Sequence, residues 1–170
     1  MDLKKLVRDV PDFPKPGIIF KDITPLLQEP QAFRQIVEQF VTRYRDRPID
    51  VIVGVESRGF LFASVLAHAL QKSLAIVRKK GKLPYLRVSY TYSLEYGEDT
   101  IELHEDAIKK NARVLIVDDL LATGGTAAAT AHLVEKMGGK VEELAFVIEL
   151  EFLKGREKLR DYQVFSQIKY

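Results

Sequence analysis

Residues 114–134, VLIVDDLLATGGTAAATAHLV, constrain the fold more than any other part of the chain. The stretch opens on four apolar residues, Val114, Leu115, Ile116 and Val117, three of them β-branched. So short an apolar run reads as a strand buried on both faces, as in a parallel sheet covered by helices. Two carboxylates follow at once, Asp118 and Asp119, then the turn Thr123-Gly124-Gly125-Thr126. Residues 127–137, AAATAHLVEKM, have the composition of a helix that Gly138 and Gly139 stop. The unit is therefore buried strand, acidic tip, Gly-rich loop and helix N-terminus.

This order has chemical content. A helix N-terminus presents unpaired N–H groups and partial positive charge. Glycines let the backbone approach a ligand closely. Small residues flanked by threonine hydroxyls make an oxyanion cradle, most often for phosphate. The adjacent carboxylates repel a phosphate and suit hydroxyls or a hydrated Mg²⁺ instead. A sugar phosphate satisfies both halves. The loop is neither a Walker A sequence, since no GK[ST] follows, nor GxGxxG.

A second unit of the same construction lies upstream. Residues 50–55, DVIVGV, read as another buried strand, ending in Glu56-Ser57-Arg58-Gly59 before a helical stretch over 60–70. Both loops would then stand at the carboxyl ends of parallel strands, where open α/β sheets bind ligands. Arg58, beside a glycine at a helix start, suits a second anion. Residues 73–77, 140–150 and 162–168 read as further strands, the last at an edge. Residues 31–45 carry Phe33, Ile36, Val37, Phe40, Val41 and Tyr44 at spacings of three and four, an amphipathic helix. Its neighbours Arg34, Arg43, Arg45 and Arg47 read as a solvated face. The fold class is α/β: a mostly parallel twisted sheet of about five strands flanked by helices.

The flanks are less regular. Residues 2–8 read as a short amphipathic helix. Three prolines within residues 11–16 then force an extended path. The apolar segment 18–23 leaves it. Two readings fit equally: an arm packed on the core, or a small hood offering Phe20 for stacking and backbone groups near Ile19 for a planar base. Residues 78–82, RKKGK, form a basic cluster, either a solvated loop or a source of charge for a polyanion. Residues 83–105 are rich in tyrosine and polar spacing, and read as two extended arms over 88–92 and 100–103. Few of these positions look able to bury deeply, which predicts a segment that moves until a ligand closes it. Residues 151–160 read as helical or irregular.

Composition narrows the class. At 170 residues the chain suits one domain over 1–170 with a substantial core. A formal net charge of +2 gives no electrostatic case for nucleic acid. The absence of cysteine removes disulfides and thiol ligands and fits a reducing compartment. The longest apolar run, over residues 59–70, is interrupted by His68 and too short to span a bilayer. The N-terminus lacks an apolar signal core. These features predict a cytoplasmic protein without membrane or nucleic-acid partners. His68, His104 and His132 are unclustered and read as structural or surface positions.

Four segments carry a family resemblance, in the family's own order. Residues 114–126 resemble the phosphoribosyl-diphosphate-binding motif of the type I phosphoribosyltransferases. PDFPKPGIIFKDIT at 11–24 resembles the N-terminal hood signature of the adenine phosphoribosyltransferases, and RKKGKLP at 78–84 and YSLEYG at 92–97 resemble their basic segment and catalytic lid. The likeness spans residues 11–159. It implies that Asp118 and Asp119 hold the ribose hydroxyls and that Ala122, Thr123, Gly124, Gly125 and Thr126 hold the 5′-phosphate. It implies a diphosphate site of Glu56, Ser57, Arg58, Arg78 and Lys82, with a cis or strained Glu56–Ser57 peptide. Adenine would meet Ile19, Phe20, Lys21, Arg58 and Leu150, with a hood over about 10–24 covering the strand ends. Lys21 stands where many relatives carry arginine, so a charge role without bidentate bonding is expected. Lys80 has no assigned role. Glu95 and Tyr96, in a lid over about 83–105, would be catalytic.

The implied reaction joins adenine to phosphoribosyl diphosphate, giving AMP and diphosphate. Mg²⁺ would be held through substrate and water, with no direct protein ligand. A homodimer is implied, with the question of Arg78 acting across its interface left open. Two alternatives stand beside this reading. One is a phosphoribosyltransferase for another base. The other is a purine-sensing regulator on the same fold, which would need an added DNA-binding domain for which 170 residues leave no room.

Overall fold

A computed structural model of the chain describes residues 1–93 and 97–170. The chain divides into two compact units, Met1–Thr42 and Arg43–Tyr170.

In the first unit, residues 2–8 do not form an amphipathic helix. A single 3-10 turn, Leu3–Leu6, is capped by Asp2, whose carboxylate accepts the Lys4 N–H at 3.2 Å. Strand β1 (Arg8–Pro11) follows at once and pairs antiparallel with β2 (Ile19–Asp22). The proline-rich segment is the loop of this hairpin, with a cis Phe13–Pro14 bond and Gly17 at φ +85°, its N–H donated to Asp12 Oδ1 at 2.7 Å. Helix α1 (Thr24–Gln28) carries Pro25 in its first turn, where the fixed φ of proline is suited. Helix α2 (Pro30–Tyr44) follows, and Ile36, Phe40 and Tyr44, four apart, are fully buried as the spacing predicts.

The second unit holds strands β3 (Val51–Val55), β4 (Ser73–Lys79), β5 (Arg87–Ser93), β6 (Glu98–His104), β7 (Arg113–Leu121), β8 (Lys140–Glu149) and β9 (Val164–Lys169). Helix α3 (Gly59–Leu70) follows β3, and α4 (Gly125–Lys136) follows β7. Among the described residues, these seven strands form one sheet in the order β5-β6-β4-β3-β7-β8-β9. The pairs from β4 through β9 by way of β3, β7 and β8 are parallel, whereas β6 joins β4 and β5 antiparallel. β3 and β7 read as continuous apolar runs because both their faces are buried: Val53, Val114, Leu115, Ile116 and Val117 are inaccessible to solvent.

The sheet has two strands more than the five expected. The extra pair, β5 and β6, comes from the arms of the tyrosine-rich segment. Far from lying on the surface, β6 buries Ile101, Glu102 and Leu103, and Leu83 is buried as well. Antiparallel pairing of Arg78 with Glu102 and Lys79 with Ile101 ties the arms to β4. The 151–160 segment resolves into two 3-10 turns, Glu151–Leu153 and Gly155–Leu159, and β9 is the expected edge strand.

A second correction concerns the arginines near the end of α2. Arg43 and Arg47 are not a solvated face. Arg43 donates Nε and Nη2 to the buried Glu143 carboxylate of β8 at 3.0 and 2.6 Å, and Arg47 adds Nη1 at 2.5 Å. The Arg43 guanidinium also lies 4.2 Å from the Phe165 ring centre. Burial alone would raise the Glu143 pKa, but the Arg43 hydrogen bonds and the two guanidinium charges bring it below the ordinary value. Glu143→Gln should therefore cost about 2 kcal/mol in urea denaturation at neutral pH, by stranding two arginines against a buried amide. A carboxylate whose pKa is depressed by folding stabilises above its unfolded pKa of about 4.3, and that contribution fades as pH falls through the lower folded value. The gap between wild type and variant should close in acid; a gap that stays constant would refute this account.

Candidate active site

β7 runs past its apolar run. Asp118 to Leu121 continue the ladder against β8, with Asp118 opposite Phe146 and Leu120 opposite Ile148. The acid pair therefore sits on the strand end itself, held by backbone pairing. The Asp119 N–H donates to Asp118 Oδ1 at 2.8 Å, and Asp119 is buried. Desolvation, then the neighbouring charge of Asp119, pushes the Asp118 carboxyl well above the usual carboxylate range. Burial also raises Asp119, against the opposing pull of the Arg58 guanidinium.

The two ligand loops meet here. Arg58 Nε stands 2.8 Å from Asp119 Oδ2, close enough for charge pairing. Gly59, the first residue of α3, rests against Asp118: a Cβ there would lie 2.7 Å from Asp118 Oδ1 and 3.0 Å from Val117 O. A side chain at Gly59 would push the helix start off the acid tip. Preceding it, the Glu56–Ser57 peptide is cis, as the resemblance implied. Ser57 is exposed.

Glu56 gathers the predicted diphosphate residues. Its carboxylate accepts the Lys79 N–H at 2.8 Å, Arg78 Nε at 3.4 Å, and the Lys82 ammonium. Burial opposes ionisation, but the Lys82, Lys79 and Arg78 donors outweigh it and lower the Glu56 pKa. The basic cluster is thus an ordered group around one carboxylate, with Arg78 Nη1 also bonded to Lys82 O at 3.3 Å.

Between β7 and α4 lies a small cavity of about 100 Å³, lined by Asp118 and residues 120–127. Gly124 adopts φ +79° and caps α4 without a side-chain hydrogen bond, which leaves the first-turn N–H groups without a side-chain cap beside the opening. Leu150 is buried beside it, its N–H donated to Leu121 O at 2.9 Å. A larger opening of about 560 Å³ in the first unit, lined by Met1, Pro30, Gln31, Arg34, Gln35 and Glu38, holds none of the predicted site residues.

Three contributors escaped the sequence reading. Tyr92, at the end of β5, shares a hydrogen bond with Thr126 Oγ1 at 3.0 Å and donates to Asp99 Oδ2 at 3.2 Å. Asp99 is ion-paired with Lys79. Gly155 packs backbone to backbone on the loop: a Cβ on Gly155 would lie 2.3 Å from Ala122 O, and one on Gly124 would lie 2.3 Å from Gly155 O. The tyrosine density of residues 90–96 was the only sequence signal for the first, and the third depends on a contact between residues thirty positions apart.

In the first unit, Ile19, Phe20 and Lys21 lie together on β2. Phe20 meets Phe13 edge to face at 5.2 Å, and Lys21 pairs with Asp9 at 2.5 Å. Glu95 and Tyr96 lie outside the described residues. Among those described, no group of three or more His, Cys, Asp or Glu could hold a metal ion.

The phosphoribosyl transferase domain family matches residues 22–169. The adenine phosphoribosyltransferase of Desulfosudis oleivorans is 53% identical over 170 residues, covering 100% of this chain and 98% of the relative. Among solved structures, the adenine phosphoribosyltransferase of Thermoanaerobacter pseudethanolicus superposes with TM-score 0.96 at 50% identity, covering 99% of this chain and 98% of its own. That of Saccharomyces cerevisiae, complexed with D-2,5-dideoxy-2,5-imino-altritol 1,6-bisphosphate and adenine, superposes with TM-score 0.91 at 43% identity, covering 98% of this chain and 96% of its own. The chain belongs to the phosphoribosyl transferase domain family, in its adenine phosphoribosyltransferase branch.

The glycine pair makes a structural prediction separable from any ligand. Gly124→Ala adds left-handed strain of about 1–2 kcal/mol and a clash with Gly155 O, so its thermal midpoint should fall by several degrees. Gly125→Ala meets nothing nearer than the Tyr92 ring at 3.6 Å, so its midpoint should stay near wild type. Equal midpoints for the two variants in a thermal scan would show that the Gly124–Gly155 contact carries no stability.

Proposed function

We propose that this chain transfers the 5-phosphoribosyl group from phosphoribosyl diphosphate to N9 of adenine by the following division of labour. Asp118 and Asp119 take the ribose hydroxyls and favour positive charge on the sugar as the bond from C1 to diphosphate breaks. Residues 122–126 hold the 5′-phosphate and so place C1. Arg58, Arg78 and Lys82 face the departing diphosphate, with Glu56 keeping the last two assembled. Ile19, Phe20, Lys21 and Leu150 take the base. Glu95, with Tyr96 beside it, supplies acid–base help where N9 sheds its proton or is compensated at N7. The observation that carries this reading is the convergence of the two loops, Arg58 on Asp119 and Gly59 on Asp118, at the carboxyl ends of adjacent parallel strands. The adenine held by the yeast relative supports the choice of base.

Mg²⁺ belongs to the proposal, and the donor set fits it. Asp119 Oδ2 is buried and already faces Arg58 Nε at 2.8 Å, and Asp118 lines the loop cavity, so the two acids would meet the ion through its waters. This ion keeps several of its waters and takes substrate phosphate oxygens, which suits holding through substrate and water. When bound it would neutralise diphosphate charge. We also propose a homodimer, as the family likeness implies, and a cytoplasmic location, in keeping with a cysteine-free chain. No helix among the described residues is long and apolar enough to cross a membrane.

Turnover with phosphoribosyl diphosphate, Mg²⁺ and a panel of bases tests the assignment. Backbone groups flanking Ile19 offer a donor and an acceptor that match adenine's N6 amine and N1, a pattern that hypoxanthine reverses. Each mismatch costs ~1–3 kcal/mol, so adenine should be preferred at least about tenfold. Equal use of hypoxanthine would sink the base assignment, and chelation of Mg²⁺ should abolish turnover. Glu95→Ala should lower kcat by about 10²–10⁴ while phosphoribosyl-diphosphate binding persists. Glu98→Ala, exposed on β6, is the control and should keep its kcat. If Glu95→Ala keeps it too, the lid carries no acid–base group.

A further inference from the structure

The phosphate loop has a charge problem. Asp118 is the one charged side chain among the described residues lining its cavity. A phosphate dianion there would face a neighbouring acid, with only the half charge of the α4 N-terminus in its favour. Several cations of this unit are engaged: Arg58 with Asp119, Lys79 with Asp99, Arg156 with Glu149, and Lys136 with the Ser89 carbonyl. Lys158 is different. Its Nζ lies 4.0 Å from where a Cβ on Gly125 would sit, and among the described residues it has no ion pair or hydrogen bond.

The position of Lys158 is built. It stands in the Gly155–Leu159 turn, which is fastened to the loop at one end by the reciprocal Gly124–Gly155 backbone contact. Arg156 donates Nε and Nη2 to the buried Glu149 at 2.6 and 2.7 Å and Nη1 to Val164 O at 3.0 Å. Leu159 closes the turn, buried at 1% exposure. An exposed ammonium on a flexible stem is thereby anchored at its base beside the residues that cradle the phosphate.

We propose that Lys158 is a binding residue for the 5′-phosphate of the phosphoribosyl group, supplying the positive charge that the loop itself lacks. This rests on the phosphoribosyl-transfer reading above. A charge-assisted hydrogen bond lost from such a site corresponds to about tenfold or more in affinity. Lys158→Gln should raise the phosphoribosyl-diphosphate KM about tenfold, with kcat within about twofold and the adenine KM unmoved. Lys158→Arg should restore most of the loss. In calorimetry, Lys158→Gln should weaken AMP about tenfold and leave adenosine, which lacks the phosphate, unchanged. Wild-type affinity for AMP in a folded Lys158→Gln protein would overturn the proposal, as would equal losses for AMP and adenosine, which mark a structural role. A wild-type protein that binds AMP but prefers another base would refute the adenine assignment and leave the phosphate site standing. A wild type that neither turns over nor binds AMP would overturn both.

Discussion

The parallel register of β3 with β7 is the constraint on which the site depends. Val51 lies opposite Val114, and the pairing continues to Gly54 opposite Val117. β3 then stops at Val55, whereas β7 carries on through Asp118 and Asp119 against β8. One strand therefore releases its chain into the Glu56–Gly59 loop just where the other presents its acids. A shift of one residue would turn Asp119 to the other face of the sheet. The absent side chain of Gly59 lets α3 begin on top of Asp118, and Arg58 reaches Asp119 from the same turn. Two motifs sixty residues apart become one site through a ladder of backbone hydrogen bonds and one missing Cβ.

The acids of this site hold different protonation tendencies because their surroundings differ. Glu56 is ringed by three N–H donors and stays low. Asp118 and Asp119 are side by side and desolvated, with one guanidinium between them and full ionisation, and they are raised. A low carboxylate is suited to organising cations such as Arg78 and Lys82. A raised pair is suited to hydroxyls, which can donate to an ionised oxygen or accept from a protonated one.

β5 and β6 lead to and from residues 94–96, yet both are fixed into the sheet through Ile101, Leu103 and the β4 pairing. Tyr92 bonds to Thr126 at the Gly-rich loop, and its partner Asp99 is tied to Lys79 on β4. The hairpin strands flanking residues 94–96 are thus connected to the Thr123–Thr126 loop.

Sequence alone determined the two strand–loop–helix units and the α/β class. Those properties are local: four or five apolar residues, an acid or arginine, and glycines before a helix declare themselves within twenty positions. The family likeness extended this to named roles, but it rested on the same short segments. Tertiary structure decided what distant residues make of each other. Arg43 and Arg47 read as solvated because their partner, Glu143, lies 100 and 96 residues away. β6 read as exposed because Thr100 and Glu102 interrupt its apolar positions, and only its place between β4 and β5 buries Ile101 and Leu103. Gly155 and Lys158 sit in an unremarkable charged stretch, and their contact with residues 122–125 exists only because the chain leaving β8 packs against the end of β7. Local sequence sets which elements form, while the pairing of strands far apart in the chain sets which side chains meet.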